Sequence, residues 1–350
     1  FSHGFIQVLA AEQTYEHSSW YMGTADAVRK NFLHFKPHGP EYYLILSGDQ
    51  LYRMDLEDFY QRHLESGADV TVAVTPVSAQ RVRHFGILQV DGNARITRFV
   101  EKPKVEQDLA GLKIPPELAR QVEDLEPGRD YLASMGIYIF SQGILEQALD
   151  NEFTDFGKEV IPASVERFKV HAYVFTGFWE DIGTITSFYQ TNINLTTIKP
   201  EFDFYYESLP IYTRRRDLPP SKINSCVINQ CLTADGCIIT NANIQHSIIG
   251  IRTIIESGAS LDGVVCMGAD YFEPEEVKET ARRQGQPQIG IGKGTLIRRA
   301  IIDKNARIGD SCRIGVDNLP RQDGEYPTHY VRDGVIVIPK NAVVPNGTVI

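Results

Sequence analysis

From residue 223 onward, apolar residues return every six positions, and this step constrains the fold more than any other feature of the chain. It runs through Leu232, Ile238 and Ile244, then Ile255 and Leu261, then Ile291 and Ile297. It continues through Ile302, Ile308 and Ile314, and ends with Ile338, Val344 and Ile350. Neither the period of a helix nor that of a strand produces a step of six. A six-residue repeat marks a parallel β-helix, in which each hexad forms one flat side of a coil. The break at about 268–288, with a helical signal over Pro274 to Arg283, reads as a loop thrown out of the coil. All five cysteines, Cys226, Cys231, Cys237, Cys266 and Cys312, lie in this half. Their number is odd and none has zinc-site spacing, so they read as reduced, small, buried side chains of a cytosol-like compartment. Cys231 and Cys237, six apart, are expected to stack on adjacent rungs.

Residues 1–198 have a different rhythm. Strand-like segments at 5–9, 43–49, 70–74, 133–140 and 170–175 alternate with helix-like ones at 24–35, 55–66, 141–149, 158–167 and 184–198. Thr24, Asp55 and Thr184 are the expected N-caps. Gly86–Val90 and Arg95–Val100, joined by Asp91-Gly92-Asn93, read as a hairpin. Residues 104–130 read as an acidic surface excursion. Alternation of this kind predicts an α/β domain with a largely parallel sheet. Residues 199–222, with four prolines and Arg214-Arg215-Arg216, read as a linker. The arginines suit a solvated turn or a phosphorylated effector. The resulting division is 1–198, a linker at 199–222, and a β-helix over 223–350.

The bulk properties narrow the function. The 350 residues carry a net charge of -10. No basic stripe is interleaved with aromatics, which argues against nucleic acid. No apolar run approaches the roughly 18–20 residues that span a bilayer, and no signal-peptide pattern opens the chain. An acidic chain that binds phosphates must use local Lys and Arg, or a metal.

Four segments carry candidate chemistry. Tyr43-Leu44-Ile45-Leu46-Ser47-Gly48-Asp49 reads as a buried strand ending in glycine and a carboxylate, where ligands of α/β sheets bind. Asp49 is there either a metal ligand or a cap of the next segment. Phe178-Trp179-Glu180-Asp181-Ile182-Gly183-Thr184 offers a second carboxylate, again a metal ligand or a helix cap. Asp49 and Asp181 together suit Mg²⁺, which takes one or two carboxylates plus phosphates and waters. Glu101-Lys102-Pro103-Lys104 places carboxylate and ammonium side by side, as a sugar phosphate requires or as a surface ion pair would. Met22-Gly23-Thr24-Ala25-Asp26 is a small-residue turn entering a helix, suited to a flat ligand or simply a tight turn. Gly290-Ile291-Gly292-Lys293-Gly294-Thr295 lacks P-loop spacing and falls within the hexads.

These strings resemble the ADP-glucose pyrophosphorylase (glucose-1-phosphate adenylyltransferase) family. The matching segments are 23–29, 47–55, 99–104, 133–138, 155–157, 179–184, 218–222, 267–271 and 301–309. They run end to end in the family's order and are most similar to its cyanobacterial and plant branch. The resemblance implies a Rossmann-like nucleotidyltransferase domain followed by a left-handed parallel β-helix. It also implies an enzyme that joins ATP and glucose 1-phosphate into ADP-glucose and pyrophosphate for glycogen or starch synthesis. By the same resemblance, Asp49 and Asp181 hold Mg²⁺, and Lys102 binds the sugar phosphate. Glu101 and Ser134 orient sugar hydroxyls, Gly23 and Thr24 border the adenine, and Gly48 leaves room at the site. Lys304 and Lys340 match lysines that bind phosphorylated effectors. A homo- or heterotetramer, cytoplasmic or plastidic, is implied as well. Met22 stands where many members have Gln, which leaves adenine specificity open. The family's glycine-rich triphosphate loop has no counterpart in these residues, so an incomplete chain with exposed core surface and poor solubility is expected. Two alternatives remain: a non-catalytic regulatory subunit, and a sugar-nucleotide acyltransferase. The acyltransferase would find only His246 in the early coils.

Overall fold

A computed structural model describes residues 4–9, 20–103, 109, 111–316 and 322–350. Lys104, and part of the expected excursion at 104–130, lie outside them. Contacts divide the chain into two compact units, one of residues 1–48 and 52–179, the other of 49–51 and 180–350.

The first unit is built on one mixed sheet. Its strands lie in the order Ile96–Glu101, Gly86–Val90, Tyr131–Ser141, Val70–Val77, Val170–Val174, and Tyr42–Ile45 also pairs with Tyr131–Ser141. Val70–Val77 is buried at every position, which explains why its sequence is nearly continuously apolar. The expectation of a largely parallel sheet is corrected here. Among the described residues only Val70–Val77 with Val170–Val174 is parallel, while the other four strand pairings are antiparallel. The eleven-residue strand Tyr131–Ser141 runs against all three of its neighbours. Antiparallel pairing does not need the helical crossover that parallel pairing demands.

Three local expectations also change. Residues 4–9 contain no strand, and Phe5, Ile6 and Val8 are exposed. A strand-like apolar stretch alone does not form a strand without a sheet to join. The buried strand expected over 43–49 is Tyr42–Ile45, with Leu44 exposed. The N-cap of the first helix, Thr24–Phe35, is Gly23 rather than Thr24. The Thr24 hydroxyl is engaged elsewhere, accepting from the Phe156 amide at 3.3 Å. Asp55 and Thr184 do cap their helices, Leu56–Ser66 and Ile185–Asn194.

The second unit is the coil. Parallel pairing stacks Ile228, Ile244, Leu261, Ile297 and Ile314 in one ladder. A second ladder joins Ile223, Ile239, Ile255, Ile291, Ile308 and Val344. Each fully buried rung residue contributes about 1.5–3 kcal/mol. The expected hexad frame holds except in the first stretch. There Ile238 is 40% exposed and Ile239 points inward. The reason lies in a finer pattern, a small residue two positions before several of the large ones. Ala242 precedes Ile244, Ala259 precedes Leu261, Ala306 precedes Ile308, and all six are buried.

Cys237 before Ile239 and Cys312 before Ile314 fill the same small-residue position. The cysteines are therefore packing residues, all of them free thiols. Burial pushes the thiols of Cys231, Cys237, Cys266 and Cys312 up, so they remain protonated. Cys231 and Cys237 do not stack on adjacent rungs. Cys231 is registered with Ser247, one full coil away, because a coil has three sides and six residues advance the chain by one side only.

Ile185–Asn194 belongs to this unit. Tyr189 packs with Val265, Ile301 and Val335, and its hydroxyl donates to the Gly263 carbonyl at 2.7 Å. The loop thrown out before Gly290–Ile291 contains the helix Glu275–Arg283. A second excursion, unexpected from the sequence, contains the antiparallel pair Gly324–Glu325 and Tyr330–Arg332.

Candidate functional site

Two carboxylates converge at the edge of the second unit. Gln50–Tyr52 pairs with Trp179–Asp181 in a short ribbon, and the Ile182 amide donates to the Asp49 carbonyl at 3.1 Å. Asp181 turns back on its own loop, its Oδ1 accepting from the Gly183 amide at 2.9 Å. A Cβ placed on Gly183 would lie 3.0 Å from Asp181 Oδ1 and 3.2 Å from Asp49 Oδ2. Both carboxylates therefore border one small space, which the missing side chain of Gly183 leaves open. Neither serves as a helix cap. The cap after Asp49 is Asp55, which accepts from the Glu57 and Asp58 amides. The cap after Asp181 is Thr184, in a reciprocal box with Ser187.

The donor set fits a hard divalent cation that keeps waters or ligand phosphates in its shell. Among the described residues no cluster of three or more His, Cys, Asp or Glu forms a closed cage. Two exposed carboxylates on one side are what a metal shared with a phosphorylated substrate needs.

In the first unit, Glu101 ends its strand opposite Gly86. A Cβ at Gly86 would collide with the Phe99 ring and the Glu101 carboxylate. Lys102 follows with φ 45, a left-handed backbone that is strained for any residue with a side chain. Its amide donates to the Phe85 carbonyl at 3.1 Å, and the buried Pro103 fixes the chain beyond it. The Lys102 side chain is left exposed.

Ser134 lies on Tyr131–Ser141, where Gly136 takes φ 69 and the register against Val70–Val77 shifts. In a regular strand residues four apart stand about 13 Å apart; this bulge brings Ser134 and Tyr138 within side-chain hydrogen-bonding reach. Burial pushes the Tyr138 phenol up to about 12, the bond to Ser134 opposes this, and the charges of Asp155 and Glu101 add to it. Tyr138, bonded to Ser134, and Asp155, whose Oδ1 and the Tyr138 hydroxyl both border Gly157, thus lie beside Ser134. The sequence reading missed both as site residues, although the strings 133–138 and 155–157 contain them.

Gly23 and Thr24 meet the segment 154–156. The Ala25 amide donates to the Thr154 carbonyl at 2.9 Å, and a Cβ at Gly23 would lie 2.3 Å from that oxygen. Two amides of this helix N-terminus, those of Ala25 and Asp26, are therefore committed to the Thr154 carbonyl. Beyond it, burial favours the neutral form of Asp26, but ion pairing to Lys30 at 2.8 Å, with the Met22 amide and Arg29, holds its carboxyl below the usual range. A Cβ added at Gly48 would meet nothing within 4 Å, so the protein itself makes no demand for glycine there.

On the coil, Lys304 and Lys340 share the Asp270 carboxylate, at 2.9 Å each. Arg214, Arg215 and Arg216 are exposed, and Arg215 pairs with Asp217 at 2.6 Å. The Gly290–Thr295 segment is part of a coil rung, as its spacing implied.

The fold is that of a nucleotidyltransferase domain followed by a β-helix. Family models agree: residues 2–198 match "Nucleotidyl transferase" and residues 216–349 match "GLGC left-handed parallel beta-helix domain". A curated relative from Triticum aestivum, "Glucose-1-phosphate adenylyltransferase small subunit, chloroplastic/amyloplastic", is 43% identical over 353 residues, covering 99% of this chain and 74% of the relative. The chain belongs to the glucose-1-phosphate adenylyltransferase family. Nucleotidyltransferases generally use a divalent metal.

Proposed function

We propose that this chain catalyses the reaction of ATP with glucose 1-phosphate to give ADP-glucose and pyrophosphate, supplying glycogen or starch synthesis. The observation that carries this is the convergence of Asp49 and Asp181 on the space beside Gly183, in a chain 43% identical to an adenylyltransferase small subunit.

In the reaction a phosphate oxygen of glucose 1-phosphate attacks the α-phosphorus of ATP. The bond to the β-phosphate bridging oxygen breaks, and pyrophosphate leaves with that electron pair. Bound Mg²⁺ would offset negative charge on the attacked phosphate. No proton must be removed from a phosphate that is already ionised, so the protein's work is positioning and charge neutralisation. Asp49 and Asp181 hold the metal. Lys102, exposed at the end of its strand, pairs with the phosphate of glucose 1-phosphate. Glu101 and Ser134, joined by Tyr138 and Asp155, accept from and donate to sugar hydroxyls. Gly23 and Thr24 line the adenine side, and Gly48 leaves the backbone accessible. Lys304 and Lys340 take a phosphorylated effector. The relative's name describes a small subunit of a plastid enzyme, and for this chain we infer a homo- or heterotetramer in the cytoplasm or a plastid.

The test is Mg²⁺-dependent formation of ADP-glucose, with Lys102→Gln as the diagnostic variant. Losing one charge-assisted phosphate contact raises KM for glucose 1-phosphate by about 10–100-fold and changes kcat little. An unchanged KM would remove Lys102 from the site.

A further inference from the structure

The lysine pair on the coil already holds an anion. Asp270 Oδ1 lies 2.9 Å from Lys304 Nζ, and Oδ2 lies 2.9 Å from Lys340 Nζ. The two lysines occupy equivalent corners of successive coils, because Arg307 is registered with Val343 and the Asn341 amide donates to the Lys304 carbonyl at 3.0 Å. Each is followed by an asparagine in left-handed conformation, Asn305 at φ 61 and Asn341 at φ 62. Neighbouring rungs are about 4.8 Å apart, so the two ammonium groups repel unless an anion lies between them.

Asp270 is built into that position. Its amide donates to Asn305 Oδ1 at 2.8 Å, and Asn305 Nδ2 donates to Asp270 Oδ2 at 3.1 Å. Asn305 is only 5% exposed and also donates to Asn341 Oδ1 at 3.2 Å. The bond from Lys340, then those from Lys304 and Asn305, hold the Asp270 carboxyl well below the usual carboxylate range. Asp303 stands beside the pair, accepting from the Lys304 amide at 2.6 Å. Counted formally, two ammonium groups face two carboxylates, which leaves no net positive charge to attract a further anion.

We propose that Asp270 is a resident counter-anion that a phosphoryl dianion must displace from Lys304 and Lys340, and that it thereby sets the affinity of this corner of the coil. The inference rests on reading Lys304 and Lys340 as effector lysines. A phosphoryl group brings two charges and three oxygens against one carboxylate, so it can replace Asp270 where a monoanion cannot.

The experiment is isothermal titration of the protein with inorganic phosphate at fixed ionic strength, since salt screens exposed charges. Four proteins are compared: wild type, Asp270→Asn, Lys304→Gln and Lys340→Gln. Asparagine keeps the size of Asp270 and its bond to Asn305 Nδ2, and an unchanged melting temperature verifies the fold. The expected result is phosphate binding about tenfold tighter or more in Asp270→Asn, and weaker in both lysine variants. Unchanged or weaker binding in Asp270→Asn, with weakened lysine variants, overturns the inference: Asp270 would then orient the lysines for the ligand. Phosphate binding that is insensitive to both lysine variants overturns the effector reading itself.

Discussion

His63 shows how one buried side chain makes the first unit sensitive to acid. It is 1% exposed, with ring nitrogens 2.7 Å from Thr71 Oγ1 and 3.2 Å from Ser141 Oγ. Burial, partly opposed by Asp69, lowers its proton affinity below that of an ordinary histidine. The unfolded chain therefore binds the proton first as pH falls. The stability tied to neutral His63 is complete above about pH 6.5 and is lost as pH drops below that value towards the lower folded pKa. His171, lowered mainly by burial as well, acts in the same direction. The melting temperature should fall between pH 7 and pH 5, and His63→Gln should flatten that slope; an equally steep slope in the variant would exclude His63 as a source. At this scale the sequence was informative about residue types and less so about partners. Asp49 and Asp181 stood out as carboxylates after strands, yet only the capping bonds of Asp55 and Thr184 show that neither is a helix cap. Asp270 and Tyr138 lay in family-matching segments, but their roles depend on neighbours 34 and four residues away, which periodicity does not reveal.

Among the elements, the excursion before Gly290–Ile291 depends on a buried ion pair. Glu273 is 3% exposed at its side chain, pairs with Arg307, and accepts from the Ile289 amide at 2.7 Å. Arg307 also donates to the Pro287 carbonyl at 2.9 Å. Removing one partner of such a pair strands a buried charge. Glu273→Ala should cost about 3 kcal/mol in unfolding free energy and speed proteolysis within 267–289, while Glu273→Met with Arg307→Leu should restore most of the loss. Denaturant unfolding with mapped cleavage checks both, and a neutral Glu273→Ala would contradict this role. The excursion was legible because it interrupts a strict repeat. The coil frame was legible wherever isoleucine filled the inward position. It slipped at Ile238 because two adjacent isoleucines, Ile238 and Ile239, offered alternative frames and only the second is buried. Strand directions in the first unit were not legible, since helical segments between strands do not by themselves dictate a parallel crossover.

Taken as a whole, the chain combines a nucleotidyltransferase domain and a β-helix, each with its own core. Both were legible because their periods differ: alternating strand and helix signals in one, a step of six in the other. One strand of the first unit carries exposed apolar residues. Among the described residues Tyr42–Ile45 pairs only with Tyr131–Ser141, and Leu44 and Leu46 are 42% and 45% exposed. An exposed apolar strand is a template for association. Leu44→Lys should reduce light scattering at a given concentration without lowering the melting temperature, and unchanged scattering would place the association elsewhere. The central claim is that Asp49 and Asp181 act as one metal site in adenylyl transfer. Its most direct test is the rate of Mg²⁺-dependent pyrophosphate release from ATP and glucose 1-phosphate for Asp49→Asn, Asp181→Asn and the double variant. Each single change should slow turnover by about 100–1,000-fold, and the double variant should be no slower than the worse single one, because the site is already lost. Rates that are unchanged in the single variants, or losses that multiply in the double, would contradict a shared site.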